Sequence, residues 1–188
     1  MKRSLYVLCG GGSTRMGSNK ALLRIGGKTL LDRVLSRCKT MGFTGCYLLS
    51  GGRHYETEIP AIEDYVKDAG PLSAIAGALN HTTEPAIAVT PVDMPLLKTE
   101  TYKRLAHEPI TSDVDVYIGR DKYREHPLTG IYSTGILDHL KAYLDSGERS
   151  VHGFLKQVRL AHFYLDEEET LNVNHPEDFE RLYRKIEG

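Results

Sequence analysis

The amino-acid sequence predicts an α/β fold: one domain with a mostly parallel central sheet and helices on both faces. Short runs of apolar, β-branched or aromatic residues alternate with longer segments in which apolar residues recur every three or four positions. That alternation is typical of strands joined by crossover helices. The 188 residues are enough for one hydrophobic core, and the chain has no repeat, low-complexity tract or long linker. We therefore expect a single domain over residues 1–188.

The first third of the chain predicts a strand, a helix and a second strand. Residues 5–9 and 46–50 are apolar runs of strand length. Between them apolar residues recur at helical spacing, and Gly42 follows where a helix typically ends. The residues of this apolar face are Leu30, Leu31, Val34, Leu35, Cys38 and Met41. Gly26 and Gly27 predict a surface turn ahead of the helix.

The middle of the chain predicts two further strands around a helix. Residues 61–63 favour a short strand, and Pro71 stands where the first turn of a helix accepts proline. The apolar residues at helical spacing after it are Leu72, Ile75, Ala76 and Leu79. Residues 86–90 then predict a buried strand that ends at Pro91.

The last third predicts an antiparallel pair followed by mixed elements. Residues 114–119 and 127–132 are strand-like and flank a polar turn at 120–124. We expect helices near 134–144 and 151–158, and a strand near 160–165. Pro176, Glu177 and Asp178 are typical of the start of a terminal helix.

Composition excludes several classes of function. The 24 Lys and Arg against 25 Asp and Glu give a net charge of -1, which provides no general attraction to nucleic acid or to an anionic membrane. No apolar run approaches the roughly 20 residues that span a bilayer, and the first residues lead into a strand rather than a signal-peptide core. We expect a cytoplasmic protein. Cys9, Cys38 and Cys46 form no C-x-x-C pair, which argues against a disulfide framework and a structural zinc site.

The segment LCGGGSTRMGSNK, residues 8–20, predicts a phosphate-binding loop. Glycines directly after a first strand let backbone N–H groups approach an anion. The dinucleotide fingerprint fails because Arg15 stands where it needs glycine, and a Walker A loop fails because Ser18 stands where it needs lysine. What remains is a glycine-rich loop with two cations, Arg15 and Lys20, which suits a ligand with several phosphates. The alternative is a strand-to-helix turn with solvated basic residues.

Asp93 is the candidate metal ligand. It lies between Pro91 and Pro95 after the predicted strand at 86–90, and ligands of open α/β sheets bind at the carboxyl ends of strands. Mg²⁺ takes one or two carboxylates and completes its shell with water and substrate phosphate oxygens. The alternative is a turn or N-cap aspartate.

The loop pattern resembles the signature of the molybdenum cofactor guanylyltransferase family, also called the molybdopterin-guanine dinucleotide biosynthesis protein A family. The matching residues are Leu8, Gly10, Gly11, Ser13, Arg15, Met16, Gly17 and Lys20. Further stretches fit the family in order, from Asp64 with Gly70-Pro71-Leu72, through Pro91–Pro95 and His126-Pro127-Leu128, to 144–149 and 172–178. The resemblance implies a Rossmann-like nucleotidyltransferase fold, with a nucleotide-binding half over about 1–98 and an acceptor-binding half over about 99–188.

The resemblance also implies an activity: transfer of GMP from GTP to molybdenum-bound molybdopterin, with Mg²⁺ and release of pyrophosphate. The implied catalytic residues are Arg15, Lys20 and Asp93, of which Asp93 holds the metal. The implied nucleotide-binding residues are Leu8, Cys9, Gly10, Gly11, Lys20, Ser50, Asp64 and Asp93. The implied acceptor-binding residues are Gly70, Arg149, Asn172 and Asn174. The implied partners are GTP and molybdenum-molybdopterin. The resemblance also allows transient contact with molybdoenzyme chaperones or cofactor-insertion proteins.

This chain departs from the family pattern at Cys9, Asn19, Ser50 and Ser150. Alternatives stay open: a molybdenum cofactor cytidylyltransferase, a sugar-phosphate nucleotidyltransferase, or a non-catalytic protein that binds the cofactor or a nucleotide. Gly10 and Gly11 favour guanine, because cytidine-specific relatives tend to carry alanine and glycine there. Lys20 and Asp93 argue against a non-catalytic carrier.

Overall fold

The computed structural model describes residues 2–10, 19–173 and 176–187, and its central feature is a six-stranded sheet. The strands, in the spatial order β4-β1-β5-β7-β6-β8, are β1 (Leu5–Leu8), β4 (Cys46–Leu49), β5 (Ala86–Pro91), β6 (Val116–Arg120), β7 (Glu125–Ser133) and β8 (Leu160–Tyr164). Only β7 runs against its neighbours in this sheet. The predictions of a mostly parallel sheet and of an antiparallel pair after Pro91 are confirmed.

Helices cover both faces of the sheet. They are α1 (Leu30–Thr40), α2 (Pro71–His81), α3 (Thr99–His107), α4 (Leu137–Asp145), α5 (Val151–Leu155) and α6 (Pro176–Glu187), with 3₁₀ turns at Lys20–Leu22 and Thr134–Ile136. A two-stranded hairpin, β2 (Arg24–Ile25) and β3 (Lys28–Thr29), turns at the two glycines predicted for it. Thr29 and Asp32 form a reciprocal capping box that fixes the start of α1.

Side chains alternate between the two faces of each strand, and this alternation divides the hydrophobic core into two clusters. In β1, Leu5 and Val7 pack with α1 and α3, whereas Tyr6 packs with α2 and α4. The same division holds in β5, where Ala88 faces one cluster and Val89 the other. Because successive side chains of a strand point to opposite faces, a sheet buried on both sides needs apolar residues throughout. The core therefore confirms the two-faced α/β arrangement.

The structure corrects some element boundaries. Residues 61–63 form no strand: Ala61 makes an isolated bridge with Leu48. Helix α3 was not predicted, because it is short and largely polar. The predicted helix at 134–144 begins as a 3₁₀ turn, and the one at 151–158 ends at Leu155. Within the described part of the chain, no helix combines the length and apolar character that crossing a bilayer requires.

Candidate functional site

A cleft of about 470 Å³ opens at the carboxyl ends of β1, β4 and β5. Its lining comes from the ends of these strands, the loops that follow them and the start of α2. The residues are Leu8, Cys9, Gly10, Lys20, Leu49, Gly51, Asp64, Asp68, Gly70, Pro71, Ala74, Pro91, Val92, Asp93 and Leu128. A larger groove of about 840 Å³, near the end of α3, contains none of the predicted site residues. The predicted site residues therefore identify the smaller cleft as the candidate functional site.

Gly10 is fixed by its contact with the neighbouring strand end. The backbone N–H groups of Cys9 and Gly10 both donate to Leu49 O, at 3.1 and 3.0 Å. A Cβ on Gly10 would lie 2.6 Å from the carbonyl carbon and oxygen of Ser50. Only glycine fits this close approach, which places the loop backbone at the cleft wall. Gly11 and Arg15, predicted here, lie outside the described residues.

Tyr55 joins the two ends of the glycine-rich segment. Its hydroxyl donates to Cys9 O at 2.5 Å and accepts from Asn19 Nδ2 at 3.2 Å. Asn19 Oδ1 in turn accepts from Ala21 N–H at 3.1 Å and caps the 3₁₀ turn that carries Lys20. Asn19, which departs from the family pattern, thus sets the position of the lysine. Sequence reasoning missed Tyr55, since a single tyrosine in a polar loop carries no local signal.

Lys20 and Asp93 meet across the cleft, with Nζ 3.6 Å from Oδ2. Both side chains are only partly exposed, at 19% and 25%. Burial raises the pKa of the Asp93 carboxyl above its ordinary value, and the positive charge of Lys20 opposes this effect. The pair brings a cation and a metal-ligand candidate to one point, as the sequence predicted.

Asp64 and Gly70 line the side of the cleft formed by α2. Asp64 Oδ1 is buried without a hydrogen-bond partner among the described residues. Burial, and then the nearby charge of Asp68, raise the pKa of the Asp64 carboxyl. Gly70 has φ of 81°, and α2 begins after it with no side-chain cap. This wall therefore presents an unpartnered oxygen and an uncapped helix start to a ligand.

In the C-terminal half, Asn172 belongs to a segment whose backbone contacts Asp93. Val173 N–H donates to Asp93 O at 3.0 Å, which brings the segment 171–173 beside the metal-ligand candidate. Asn172 Oδ1 is buried and has no partner among the described residues. A buried acceptor without a donor is unfavourable unless a ligand satisfies it. Asn174 lies outside the described residues.

Three predicted residues stand apart from the cleft lining: Ser50, Arg149 and Asn172. Ser50 is buried beneath Gly10, while its neighbours Leu49 and Gly51 line the cleft. Arg149 lies on the loop after α4, where its Nη1 donates to Leu144 O at 2.6 Å.

The arrangement around Asp93 fits a magnesium ion. No group of three or more His, Cys, Asp or Glu side chains able to hold a metal occurs in the described ranges. A site of that kind would suit zinc or calcium, whereas Mg²⁺ needs one or two protein carboxylates and takes further oxygens from phosphates and water. Asp93 supplies one such carboxylate at the cleft.

Known proteins are similar to this chain in sequence and in fold over nearly their full length. The family model of the MobA-like NTP transferase domain matches residues 5–161. The molybdenum cofactor guanylyltransferase of Rhizobium rhizogenes is 30% identical, over 92% of this chain and 87% of that protein. A probable molybdenum cofactor guanylyltransferase of Carboxydothermus hydrogenoformans is 29% identical, over 96% of this chain and 95% of that protein.

A solved structure repeats the fold. Molybdopterin-guanine dinucleotide biosynthesis protein A from Archaeoglobus fulgidus superposes with a TM-score of 0.82, at 24% identity, over 98% of both chains. The resemblance inferred from the loop motif is confirmed by the family match, and the predicted nucleotidyltransferase fold by this superposition. The chain belongs to the MobA-like NTP transferase family and is a nucleotidyltransferase.

Proposed function

We propose that this nucleotidyltransferase transfers GMP from GTP to molybdenum-bound molybdopterin, forming the guanine dinucleotide cofactor and pyrophosphate. The observation that carries the proposal is the approach of Lys20 to Asp93 at 3.6 Å, at the mouth of a cleft that begins at Gly10. The names of the relatives support the choice of substrates, since one is named a molybdenum cofactor guanylyltransferase and the other a probable one.

The nucleotide occupies the side of the cleft formed by β1, β4 and α2. Cys9 and Gly10 form the cleft wall against the nucleotide, the predicted Gly11 cradles the phosphates, and Lys20 and the predicted Arg15 neutralise their charge. Asp64, on the opposite wall, is available to accept hydrogen bonds from the guanine nucleotide. Leu8 supplies apolar contact.

Magnesium, held by Asp93, supplies charge neutralisation at the reacting phosphate when bound. Asn172 lies beside this position and serves the acceptor, together with Gly70 and the predicted Asn174 and Arg149.

The reaction needs no covalent enzyme intermediate. A phosphate oxygen of the acceptor attacks the α-phosphorus in line, the bond to the bridging oxygen breaks, and pyrophosphate leaves with the electron pair. Cys9 is no nucleophile, because burial raises the pKa of its thiol to about 12 and keeps it protonated. Catalysis is therefore positioning and charge neutralisation.

The test is pyrophosphate release from GTP with molybdenum-loaded molybdopterin and Mg²⁺. We expect Asp93→Asn to lower kcat by about 10²- to 10³-fold, the scale on which preorganised electrostatic groups act. Asp138→Asn, an exposed position on α4, is the matched control and should keep full activity. Retained Mg²⁺-dependent turnover in Asp93→Asn would contradict the metal assignment. Faster turnover with CTP would instead identify a cytidylyltransferase, and nucleotide binding without pyrophosphate release would indicate a carrier.

Cytoplasmic location and transient contact with cofactor-insertion proteins belong to the same proposal. Both follow from the expected role of the product, which must reach an apo-enzyme after synthesis.

A further inference from the structure

The turn between β6 and β7 reaches the edge of the sheet where Asp93 lies. Because β7 runs antiparallel to β5, the start of β7 meets the carboxyl end of β5, with Val89 paired to Gly130. Four residues, 121–124, connect Arg120 to Glu125 at this edge. The turn therefore stands on the opposite side of Asp93 from β1, β4 and α2.

A buried pair fixes the shape of this turn. Asp121 Oδ1 accepts from the N–H groups of Tyr123 and Arg124, both at 2.8 Å, and His126 Nε2 lies 2.8 Å from Oδ2. Asp121 and His126 are each about 95% buried. Burial raises the pKa of the Asp121 carboxyl, but the hydrogen bonds from His126 and the two N–H groups outweigh burial and lower it below its ordinary value. The carboxylate is thus a stable anchor for the turn.

Arg124 is the residue that this anchor positions. Its side chain is exposed, and Nη2 donates to Thr170 O at 3.4 Å. Thr170 lies three residues before Val173, whose N–H donates to Asp93 O at 3.0 Å, so this contact places the guanidinium beside the segment that reaches Asp93. Lys20 contacts Asp93 from the side of β1, and the β6–β7 turn that carries Arg124 lies on the other side, at the start of β7.

The position of the Arg124 side chain is not explained by a need to hold the segment 166–170 in place. That segment is already fixed by the buried Glu169, whose Oε1 accepts from Lys98 N–H at 2.8 Å and from Thr101 Oγ1 at 2.5 Å. The bond to Thr170 O is long by comparison, beyond the usual range for N–H···O. One weak contact does not explain why the buried, multiply bonded Asp121 holds the turn beneath an exposed guanidinium. The arrangement suits a side chain that is preorganised to bind a ligand.

We propose that Arg124 binds the terminal phosphate of the acceptor. The inference rests on the proposed function, because it takes the acceptor to be an anionic phosphate that must approach the negatively charged triphosphate. A guanidinium presents planar, paired donors that match phosphate oxygens. Neutralising the acceptor phosphate on the side opposite the nucleotide lowers the repulsion between the two substrates. Its oxygen then forms the new bond to the α-phosphorus as the bond to pyrophosphate breaks.

Direct binding tests the inference independently of turnover. Molybdenum-loaded molybdopterin is titrated, without nucleotide, into the wild type, Arg124→Gln and Arg124→Lys. Loss of a hydrogen-bonded charge pair predicts an increase in Kd of about 10- to 100-fold for Arg124→Gln. Arg124→Lys keeps the charge and should recover part of the affinity. The Kd for GTP with Mg²⁺ should stay within about twofold in both variants, because the nucleotide lies on the other side of Asp93.

Two further variants separate positioning from charge. Lys122→Gln removes a neighbouring, exposed cation of the same turn and should leave both affinities unchanged. His126→Gln removes the buried support and should weaken molybdopterin binding less than Arg124→Gln, with the same unchanged affinity for GTP.

An acceptor Kd that changes by less than about twofold in Arg124→Gln would overturn the inference, as would an equal loss of GTP affinity. Failure of the proposed function has a different signature: the wild type binds molybdopterin and GTP but releases no pyrophosphate. In that case the Arg124 variants still decide whether this residue binds the phosphate.

Discussion

At the residue scale, Tyr55 links the two ends of the predicted phosphate-binding loop. One hydroxyl bonds to Cys9 O, before the glycine-rich segment, and to Asn19, after it. The ring is 6% exposed, so these bonds form in a largely dry environment where they are stronger than in water. The distance between the loop ends, and with it the placement of Lys20, therefore depends on a single oxygen atom.

Tyr55→Phe removes that oxygen and little else. We expect about 1 to 3 kcal/mol of lost unfolding free energy, because Cys9 O and Asn19 lose a buried partner. We also expect weaker GTP binding, since Lys20 loses its fixed position. Urea unfolding and GTP titration measure the two effects, and Tyr183→Phe, at a half-exposed site on α6, is the control. Unchanged GTP affinity would show that the hydroxyl has no part in placing the lysine.

Asp121 gives the protein a pH-dependent stability term with a defined sign. Its folded pKa lies below the ordinary value of 3.8, so the ionised form stabilises the folded state. That contribution is complete at pH values above 3.8 and is lost as the pH falls through the folded pKa.

Asp121→Asn should therefore lower the free energy of unfolding by about 1 to 3 kcal/mol at pH 7 and equally at pH 5. The difference from the wild type should narrow only below about pH 4. Urea unfolding at several pH values measures this, with Glu58→Gln in an exposed loop as control. A difference that already narrows between pH 7 and pH 5 would contradict the assignment to this carboxylate.

The residues that could be predicted from sequence are those with a chemical reason inside a short motif. Lys20 and Asp93 were expected to share a phosphate site, and their side chains lie 3.6 Å apart. Tyr55 and Arg124 could not be found this way, because their contacts are made with residues about 36 to 46 positions away in the chain. Contacts of that kind leave no local pattern.

At the element scale, α2 holds the Asp64 wall by direct contact with the preceding loop. Ser73 Oγ accepts from Val66 N–H at 2.6 Å and donates to Val66 O at 2.7 Å. One turn further along, a Cβ on Gly77 would lie 2.1 Å from Glu63 O. The helix and the loop are therefore packed backbone to backbone next to Asp64.

Gly77→Ala should force the loop away from α2. We expect a loss of about 1 to 3 kcal/mol in unfolding free energy, the usual cost of overpacking, and a rise in the Kd for GTP as Asp64 moves. Gly135→Ala is the matched control, because a Cβ there meets only Ser133 Oγ at an ordinary 3.4 Å. Equal effects of the two substitutions would argue against a role for this packing in the site.

Elements with clear periodicity were predicted and those stabilised by tertiary contacts were not. The strands at the sheet centre and the helix after Pro71 follow the apolar pattern closely. The segment 61–63 looks apolar enough for a strand, yet it pairs only through Ala61. Helix α3 has only nine residues, and its apolar positions are Tyr102, Leu105 and Ala106, which is too short a pattern to identify a helix from sequence.

At the scale of the whole molecule, the sheet gathers distant segments at one edge. Three parallel strands bring the predicted nucleotide-binding residues there, and the reversed β7 brings the β6–β7 turn to the same edge. The fold class was predictable because alternation of strands and helices is a property of the full chain. The arrangement of the N-terminal strands and the β6–β7 turn on the two sides of Asp93 could be seen only in the three-dimensional structure.

Nucleotide binding should stabilise this architecture as a whole. At a GTP concentration about 100 times its Kd, linkage gives about 2.7 kcal/mol. For a domain of this size that corresponds to a rise in Tm of about 5 to 10 °C. A thermal-shift experiment with Mg²⁺ measures it, with CTP and with Mg²⁺-free GTP as comparisons. Equal shifts with CTP and GTP would contradict guanine selectivity.

The hydrogen bond from Val173 to Asp93 has a consequence for protein synthesis. It joins positions 80 residues apart in the chain. A growing chain still on the ribosome has the glycine loop, Lys20 and Asp93 long before it has residues 171–173. Contacts of such long sequence separation form late, after their loops have closed. The bond that holds the backbone at Asp93 is therefore among the last contacts of this site to form during synthesis.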